Sequence, residues 1–276
     1  MPRLRSLLFV PGDRPDRMDK ALSLGADTLI LDLEDAVAPA NKPAARTAVA
    51  EFLGRPCATT LFVRINPLDS GLADDDLAAV LPARPDGIVL PKAEGGATLA
   101  ALDARLDGDM MILPIATETP AAIFALGSYG GVTTRLAGLT WGAEDLPAAI
   151  GASTSREPDG SYTAPYQLAR SLTLFGAHAA GVAAIETVYP DFRDLDGLAA
   201  YAARGRRDGF SGMMAIHPAQ VPVINAAFTP SAEEIAHAQA IVALFADNPG
   251  AGALSLNGRM VDAPHLKAAK ALLARA

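Results

Sequence analysis

The chain has 276 residues, of which 50% are hydrophobic and 20% are charged. This balance is typical of a globular protein with a large core and excludes a disordered chain. A formal net charge of −8 and scattered basic residues argue against nucleic acid as a partner. Cys57 is the only cysteine, and the first apolar run is too short for a signal peptide or a membrane helix. These features predict a soluble, cytoplasmic protein that uses no disulfide and no membrane.

Short aliphatic runs alternate with longer segments of helical spacing, the pattern of repeated βα units around a parallel sheet. Eight strands are predicted: Arg5–Val10, Thr28–Leu33, Thr60–Ile65, Gly87–Leu90, Met110–Ile115, Arg135–Thr140, Val182–Thr187 and Gly212–Ile216. The helices predicted between and after them are Arg17–Leu24, Lys42–Leu53, Asp74–Leu81, Ala97–Leu106, Ala121–Leu126, Tyr166–Ala180, Leu195–Arg207 and Ala219–Ala227. The count predicts an α/β fold, a (β/α)8 TIM barrel. A doubly wound open sheet would alternate similarly, but the first strand lacks a G-x-G-x-x-G turn.

The pattern changes after the eighth unit. A capped helix is predicted over Ser231–Ala246, then a hairpin around an Asn-Gly turn, and then a helix over Pro264–Ala274. The sequence therefore predicts a barrel domain over residues 1–230 and a C-terminal extension over residues 231–276. Within the barrel, the segment Pro147–Ala164 is predicted to be a long surface loop that acts as a lid.

Polar residues follow nearly every predicted strand, and in a (β/α)8 barrel these strand ends converge on one mouth. The acids among them are Asp13, Asp32, Glu34, Asp35, Glu94, Glu118, Glu144, Asp145 and Glu186. So many carboxylates would repel one another unless cations neutralise them, and Arg64, Lys92 and a bound metal are the available cations. Carboxylates from neighbouring strands, completed by water and substrate oxygens, suit Mg2+ or Mn2+. The four histidines show no spacing typical of zinc ligands.

Five segments stand in a characteristic order and spacing: Arg5–Gly12, Leu31–Val37, Val63–Asn66, Trp141–Leu146 and Leu256–Asp262. Together they resemble the HpcH/HpaI aldolase and citrate lyase beta-subunit family over nearly the whole chain. The resemblance implies a Mg2+-dependent barrel enzyme that acts on acyl-CoA or acyl-carrier thioesters of 3-hydroxy acids. It also implies a homo-oligomer, a trimer or a hexamer.

The resemblance implies a role for each group of the predicted site. Glu118 and Asp145 would be the metal ligands, and backbone N–H groups around Glu144 would bind the carboxylate of a 2-oxo acid. Arg64 would bind the substrate and stabilise the enolate of an acetyl thioester. Asp262 would exchange a proton with the acetyl methyl group, acting at the mouth of a neighbouring subunit's barrel.

Further residues are predicted to support this site. Coenzyme A needs cationic anchors for its phosphates, and the candidates just after the first strand are Arg14, Arg17 and Lys20. The residues interpreted as support for the metal ligands are Asp32, Glu34, Asp35 and Lys92. Arg64 has a second interpretation as the buried partner of Glu34 or Asp35, and Asp262 as part of a solvated hairpin.

The function predicted first is a stand-alone CoA-ester lyase that cleaves a malyl-CoA or citramalyl-CoA type substrate to acetyl-CoA and a 2-oxo acid, or catalyses the reverse condensation. The alternatives are a citrate lyase beta subunit, which acts on a citryl thioester of an acyl carrier protein within a complex, a free 2-oxo acid aldolase, and a catalytically silent binding or scaffold member.

Overall fold

The computed structural model describes residues 2–274, and its largest feature is a sheet of eight parallel strands. The strands are β1 (Ser6–Pro11), β2 (Thr28–Asp32), β3 (Thr60–Arg64), β4 (Gly87–Leu90), β5 (Met111–Pro114), β6 (Gly138–Thr140), β7 (Ala183–Glu186) and β8 (Gly212–Ala215). Their spatial order is β5-β4-β3-β2-β1-β8-β7-β6. The two end strands meet where Ala116 N–H donates to the Thr140 carbonyl at 2.8 Å and Ala137 N–H to the Ile112 carbonyl at 2.9 Å. The sheet is therefore a nearly closed (β/α)8 barrel, as the alternating pattern predicted.

Within residues 2–228, nine helices connect or follow these strands. They are α1 (Pro15–Ala21), α2 (Lys42–Leu53), α3 (Ala73–Val80), α4 (Gly96–Asp103), α5 (Pro120–Ala125), α6 (Asp145–Ile150), α7 (Ala164–Ala180), α8 (Leu195–Asp208) and α9 (Gln220–Phe228). Short 3-10 helices lie at Pro39–Asn41, Leu81–Ala83 and Leu126–Ser128.

The segment predicted as a loop from Pro147 differs from the prediction in its first part. Helix α6 covers these residues and begins at Asp145, so only the stretch 151–163 lacks a helix. Six residues with a proline at the third position are too few to show helical periodicity, so no sequence pattern predicts α6. The helix holds Asp145 in its first turn, directly behind β6.

Large apolar side chains fill the inside of the barrel. The buried cluster includes Leu7, Ile30, Phe62, Val89, Leu113, Ile185 and Met214, each from a different strand. Gly87 makes room for the ring of Phe62, because a Cβ at this position would lie 2.8 Å from the ring. The barrel interior is thus a packed core, and the active site of such a barrel is expected at the mouth formed by the C-terminal strand ends.

A second compact unit begins at Phe228, within the last turn of α9. It contains α10 (Ala232–Asp247), the antiparallel strands β9 (Ala253–Leu256) and β10 (Arg259–Asp262), and α11 (Ala263–Leu273). Ser231 caps α10 in a capping box with Glu234, as its sequence predicted. Asn257 and Gly258 both have positive φ, as the tight turn of a two-residue hairpin requires. No helix within residues 2–274 is long and apolar enough to cross a membrane.

Candidate active site

Arg64, the last residue of β3, is held by carboxylates from the end of β2. The register places Asp32 beside Arg64, whose Nε and Nη2 donate to the two carboxylate oxygens at 2.8 and 2.5 Å. Nη1 lies 2.9 Å from Glu34 Oε2, and the guanidinium covers the ring of Phe9 at 4.7 Å. Two N–H groups of Arg64 thus donate hydrogen bonds to Asp32, while Nη1 forms an ion pair with Glu34. The interpretation of Arg64 as a partner of Glu34 agrees with this geometry, and Asp32 is an additional partner.

Lys92 lies just after β4 and connects three carboxylates. Its backbone is left-handed, with φ +48°, and turns its N–H toward Glu118 Oε2 at 2.5 Å. Its ammonium nitrogen lies 3.0 Å from Glu34 Oε1 and 3.2 Å from Asp145 Oδ1. Burial alone would lower the pKa of Lys92, but the surrounding carboxylates outweigh burial and raise the pKa above its ordinary value. Lys92 therefore links both predicted metal ligands to the pair of Arg64 and Glu34.

Glu118 is a buried carboxyl group after β5, with 3% of its surface exposed. Burial raises the pKa of Glu118 to about 8; repulsion from Asp145 and Glu34 adds to the rise, while the N–H of Lys92 opposes it. Gly142, after β6, lies against this side chain, because a Cβ at Gly142 would be 2.6 Å from Glu118 Cγ. Any larger residue at this position would displace Glu118.

Two cavities open beside each other at the mouth. The first, of about 390 Å³, is lined by residues that include Arg64, Glu118, Glu144 and Asp145. The second, of about 510 Å³, is lined by residues that include Arg14, Arg17, Lys20 and His217. Both are bordered by Phe9, Pro11, Arg17 and Ile216. The predicted phosphate anchors and the predicted metal ligands thus lie on adjoining cavities.

The donor groups of the mouth fit a divalent cation. The five carboxylates of Asp32, Glu34, Asp35, Glu118 and Asp145 face the two cations Arg64 and Lys92, which leaves a formal charge of −3 when all are ionised. No three His, Cys, Asp or Glu side chains of residues 2–274 form a complete metal site. Glu118 and Asp145 would therefore supply two oxygen ligands and leave the remainder to water and substrate, the arrangement that Mg2+ prefers.

The buried carboxyl group of Glu118 should make stability depend on pH when no divalent metal is bound. Its pKa of about 8 lies above the ordinary value of 4.5, so the folded protein keeps a proton that the unfolded chain releases. The contribution of Glu118 to the free energy of unfolding is therefore lost as pH rises from about 4.5 to about 8. Glu118→Gln cannot ionise, so its stability relative to wild type should rise over this interval and level off above it.

Urea unfolding in excess chelator at about pH 5, 7 and 9 measures this difference. Glu51→Gln, an exposed position on α2, is the matched control and should show no such rise. A Glu118→Gln difference that is constant with pH would contradict a buried, ionisable Glu118.

The remaining predicted residues have clear structural surroundings. Asp35 is largely exposed, with its carboxylate 3.9 Å from Arg64 Nη1. Asp262 belongs to the second unit, where it caps α11 and forms a 2.5 Å hydrogen bond with His265, which lowers the pKa of Asp262. His217 stacks on Phe192 at 4.7 Å, and its Nδ1 accepts the N–H of Ala219. These contacts support a structural role for His217, which the sequence also offers as a general-base candidate at the end of β8.

The fold and the mouth define a class of protein: a (β/α)8-barrel enzyme with an acidic site suited to a divalent metal and a cationic cavity beside it. The family model of the HpcH/HpaI aldolase/citrate lyase family matches residues 5–218. The chain belongs to this family of carbon–carbon lyases.

Named relatives and a solved structure match nearly the whole chain. The citrate lyase subunit beta-like protein of Mycobacterium tuberculosis is 39% identical over 98% of this chain and 94% of its own length. The mitochondrial citramalyl-CoA lyase of Rattus norvegicus is 34% identical over 98% of this chain and 85% of its own length. The fold is also similar to the crystal structure of CitE from M. tuberculosis in complex with magnesium, acetoacetate and coenzyme A, with a TM-score of 0.84. The two sequences are 36% identical, and the match covers 99% of this chain and 98% of that one.

Proposed function

We propose that this protein is a Mg2+-dependent carbon–carbon lyase that cleaves a 3-hydroxyacyl-CoA of malyl-CoA or citramalyl-CoA type to acetyl-CoA and a 2-oxo acid, or forms it in reverse. The observation that carries this proposal is one cavity lined by Arg64, Glu118 and Asp145, adjoining another lined by Arg14, Arg17 and Lys20. The first has the groups for the reaction, and the second has the cations that a phosphorylated carrier needs.

Cleavage requires charge stabilisation on both halves of the substrate. The 3-hydroxyl group gives its proton to a water molecule and becomes the carbonyl of the 2-oxo acid. The bond between carbons 2 and 3 breaks, and its electron pair passes to the thioester half as an enolate. Glu118 and Asp145 would hold Mg2+, which when bound supplies Lewis-acid stabilisation to the oxygens of the 2-oxo acid half. Arg64 lines the same cavity, and its N–H groups that do not bond to Asp32 would stabilise the enolate oxygen of the other half.

Carboxylates around these residues maintain their geometry. Asp32 and Glu34 hold the guanidinium of Arg64 in one orientation, so its donors need little reorganisation during the reaction. Lys92 holds Glu118 through its backbone and Asp145 through its ammonium group. Backbone N–H groups around Glu144 would bind the carboxylate of the oxo acid.

The enolate must gain a proton to become acetyl-CoA, and we assign this step to Asp262. Its pKa is lowered by His265, so it is a carboxylate that accepts a proton from the acetyl methyl group in the condensation direction and returns it during cleavage. In this proposal the extension over residues 231–276 brings Asp262 to the barrel mouth of another subunit in a homo-oligomer. A cytoplasmic location fits a pathway of CoA thioesters and is part of the same proposal.

A citrate lyase beta subunit is the second candidate, because one of the relatives is named as beta-like. Such a protein would act on a citryl thioester carried by an acyl carrier protein instead of coenzyme A. A catalytically silent member is disfavoured, because Arg64, Glu118, Asp145 and Asp262 are all present.

Coupled assays with malyl-CoA, citramalyl-CoA, a citryl thioester of an acyl carrier protein and a free hydroxy-oxo acid separate these functions. We expect Mg2+-dependent release of acetyl-CoA from one of the two CoA esters and no turnover in excess chelator. Turnover of the free acid alone would indicate an aldolase, and turnover of the carrier-bound thioester alone would indicate the beta subunit. Full activity in chelator would contradict the metal-dependent mechanism.

A further inference from the structure

Thr187 follows β7 directly and lines the same cavity as Glu118 and Asp145. The residue is fully buried, yet its hydroxyl oxygen has no hydrogen-bond partner among the described residues. Buried hydroxyl groups normally find a partner, because leaving one unpaired is costly. We propose that the hydroxyl of Thr187 donates a hydrogen bond to the carboxylate of the 2-oxo acid half of the substrate; this assignment rests on the proposed lyase function.

The backbone of Thr187 is fixed, although its hydroxyl is unused. Its N–H donates to Glu186 Oε1 at 3.1 Å, and the same oxygen accepts the indole N–H of Trp141 at 2.5 Å. The other oxygen of Glu186 accepts Nε of Arg170 at 2.7 Å, which neutralises this fully buried carboxylate. Trp141 begins the segment that leads to Asp145, the predicted metal ligand at the start of α6. Glu186 therefore fixes Thr187 and that segment relative to each other.

The strand order places Thr187 near the metal ligands and opposite Arg64. β7 is the hydrogen-bonded neighbour of β6, with Thr140 paired to Ile185, and β6 leads into Asp145. β3, which ends at Arg64, is four strands away from β7 in either direction around the barrel. A substrate with its thioester half at Arg64 therefore has its oxo acid half on the side of β5, β6 and β7.

A hydroxyl donor suits this position. A substrate carboxylate accepts hydrogen bonds only, and the mouth around it is rich in carboxylates that would repel it. A neutral donor provides a charge-assisted hydrogen bond without adding a charge to the metal site. Thr187 meets this requirement from the end of β7.

Burial of an unpaired hydroxyl is not unique to this position, and that provides a control. Thr28 is also fully buried with an unpartnered hydroxyl among the described residues, but it begins β2 at the opposite end of the barrel. Thr187→Val and Thr28→Val make the same replacement of a hydroxyl by a methyl group. Only the first is made at a residue that lines the cavity of Glu118 and Asp145.

Calorimetric titration with glyoxylate and with pyruvate in the presence of Mg2+ tests the assignment without turnover. Thr187→Val should weaken oxo acid binding by about tenfold or more, whereas Thr28→Val should bind like wild type and Thr187→Ser should keep most of the affinity. In the condensation reaction, Thr187→Val should raise KM for the oxo acid and leave KM for acetyl-CoA unchanged. Thermal unfolding should show that Thr187→Val is at least as stable as wild type, because the lost hydroxyl has no partner among the described residues.

Wild-type affinity in Thr187→Val would overturn the assignment, and so would an equal loss in Thr28→Val, which would show a general effect on the barrel. Failure of Thr187→Ser to keep the affinity would also contradict a hydroxyl contact. Absence of oxo acid binding by the wild-type protein would instead overturn the proposed lyase function, and this assignment with it.

Discussion

Replacing Asp145 with asparagine should lower kcat/KM by about a thousandfold and abolish the stabilisation of the fold by Mg2+. Asp145 and Glu118 are the carboxylates that we propose as metal ligands. A bound metal ion stabilises the charge of the transition state by several kcal/mol in such reactions. Asparagine keeps the shape of the side chain but removes the negative charge. Lys92 keeps Glu34 as a partner in this variant, so the fold of the mouth should persist.

Asp35→Asn is the matched control, because Asp35 lines the same cavity and the same charge is removed. Its carboxylate is mostly exposed and lies 3.9 Å from Arg64 Nη1, so its loss should change kcat/KM by less than about tenfold. Calorimetric titration with Mg2+ and steady-state kinetics measure both variants. Similar losses in the two would indicate a general effect of charge in the mouth and contradict direct ligation by Asp145.

The barrel was predictable because its strands are short aliphatic runs that end in polar residues. The largest overextension was in β6, which was predicted over Arg135–Thr140, whereas the strand covers Gly138–Thr140. Residues 135–137 pair with β5 through isolated backbone contacts and not as a continuous strand; one of these contacts is the β-bridge between Leu136 and Ile112. An apolar run does not reveal how many of its residues pair with a neighbour.

The residues of the mouth were also predictable, since they follow strands, but their contacts with one another were not. The pair of Arg64 and Asp32 depends on the register of β2 and β3, which a single sequence does not encode in a readable form. The contact of Lys92 N–H with Glu118 depends on a left-handed backbone at a lysine, for which no sequence pattern exists. Thr187 was visible as a strand-end residue, but only the structure reveals that its hydroxyl lacks a partner.

Replacing Asp262 with asparagine should lower kcat by about a hundredfold to ten-thousandfold, the usual contribution of a general acid or base. Asparagine is the sharpest substitution here, because Asp262 also caps α11 and asparagine caps helices equally well. The variant should therefore fold normally, bind Mg2+ and oxo acid as wild type does, and fail only in proton transfer. Exchange of the acetyl-CoA methyl protons with deuterated solvent, followed by NMR, measures that step directly.

Mixing Asp262→Asn with Glu118→Gln tests whether a site is shared between subunits. If Asp262 acts at a neighbouring barrel, a mixed assembly contains sites in which an intact barrel meets an intact extension. Random equimolar mixing should restore about one quarter of wild-type activity in any closed ring, because each of the two contributions comes from the right subunit half of the time. Glu51→Gln mixed with wild type controls for dilution and should retain full activity. If the mixture is as inactive as its two components, Asp262 serves its own barrel, and the extension over residues 231–276 completes the site of the chain that carries it.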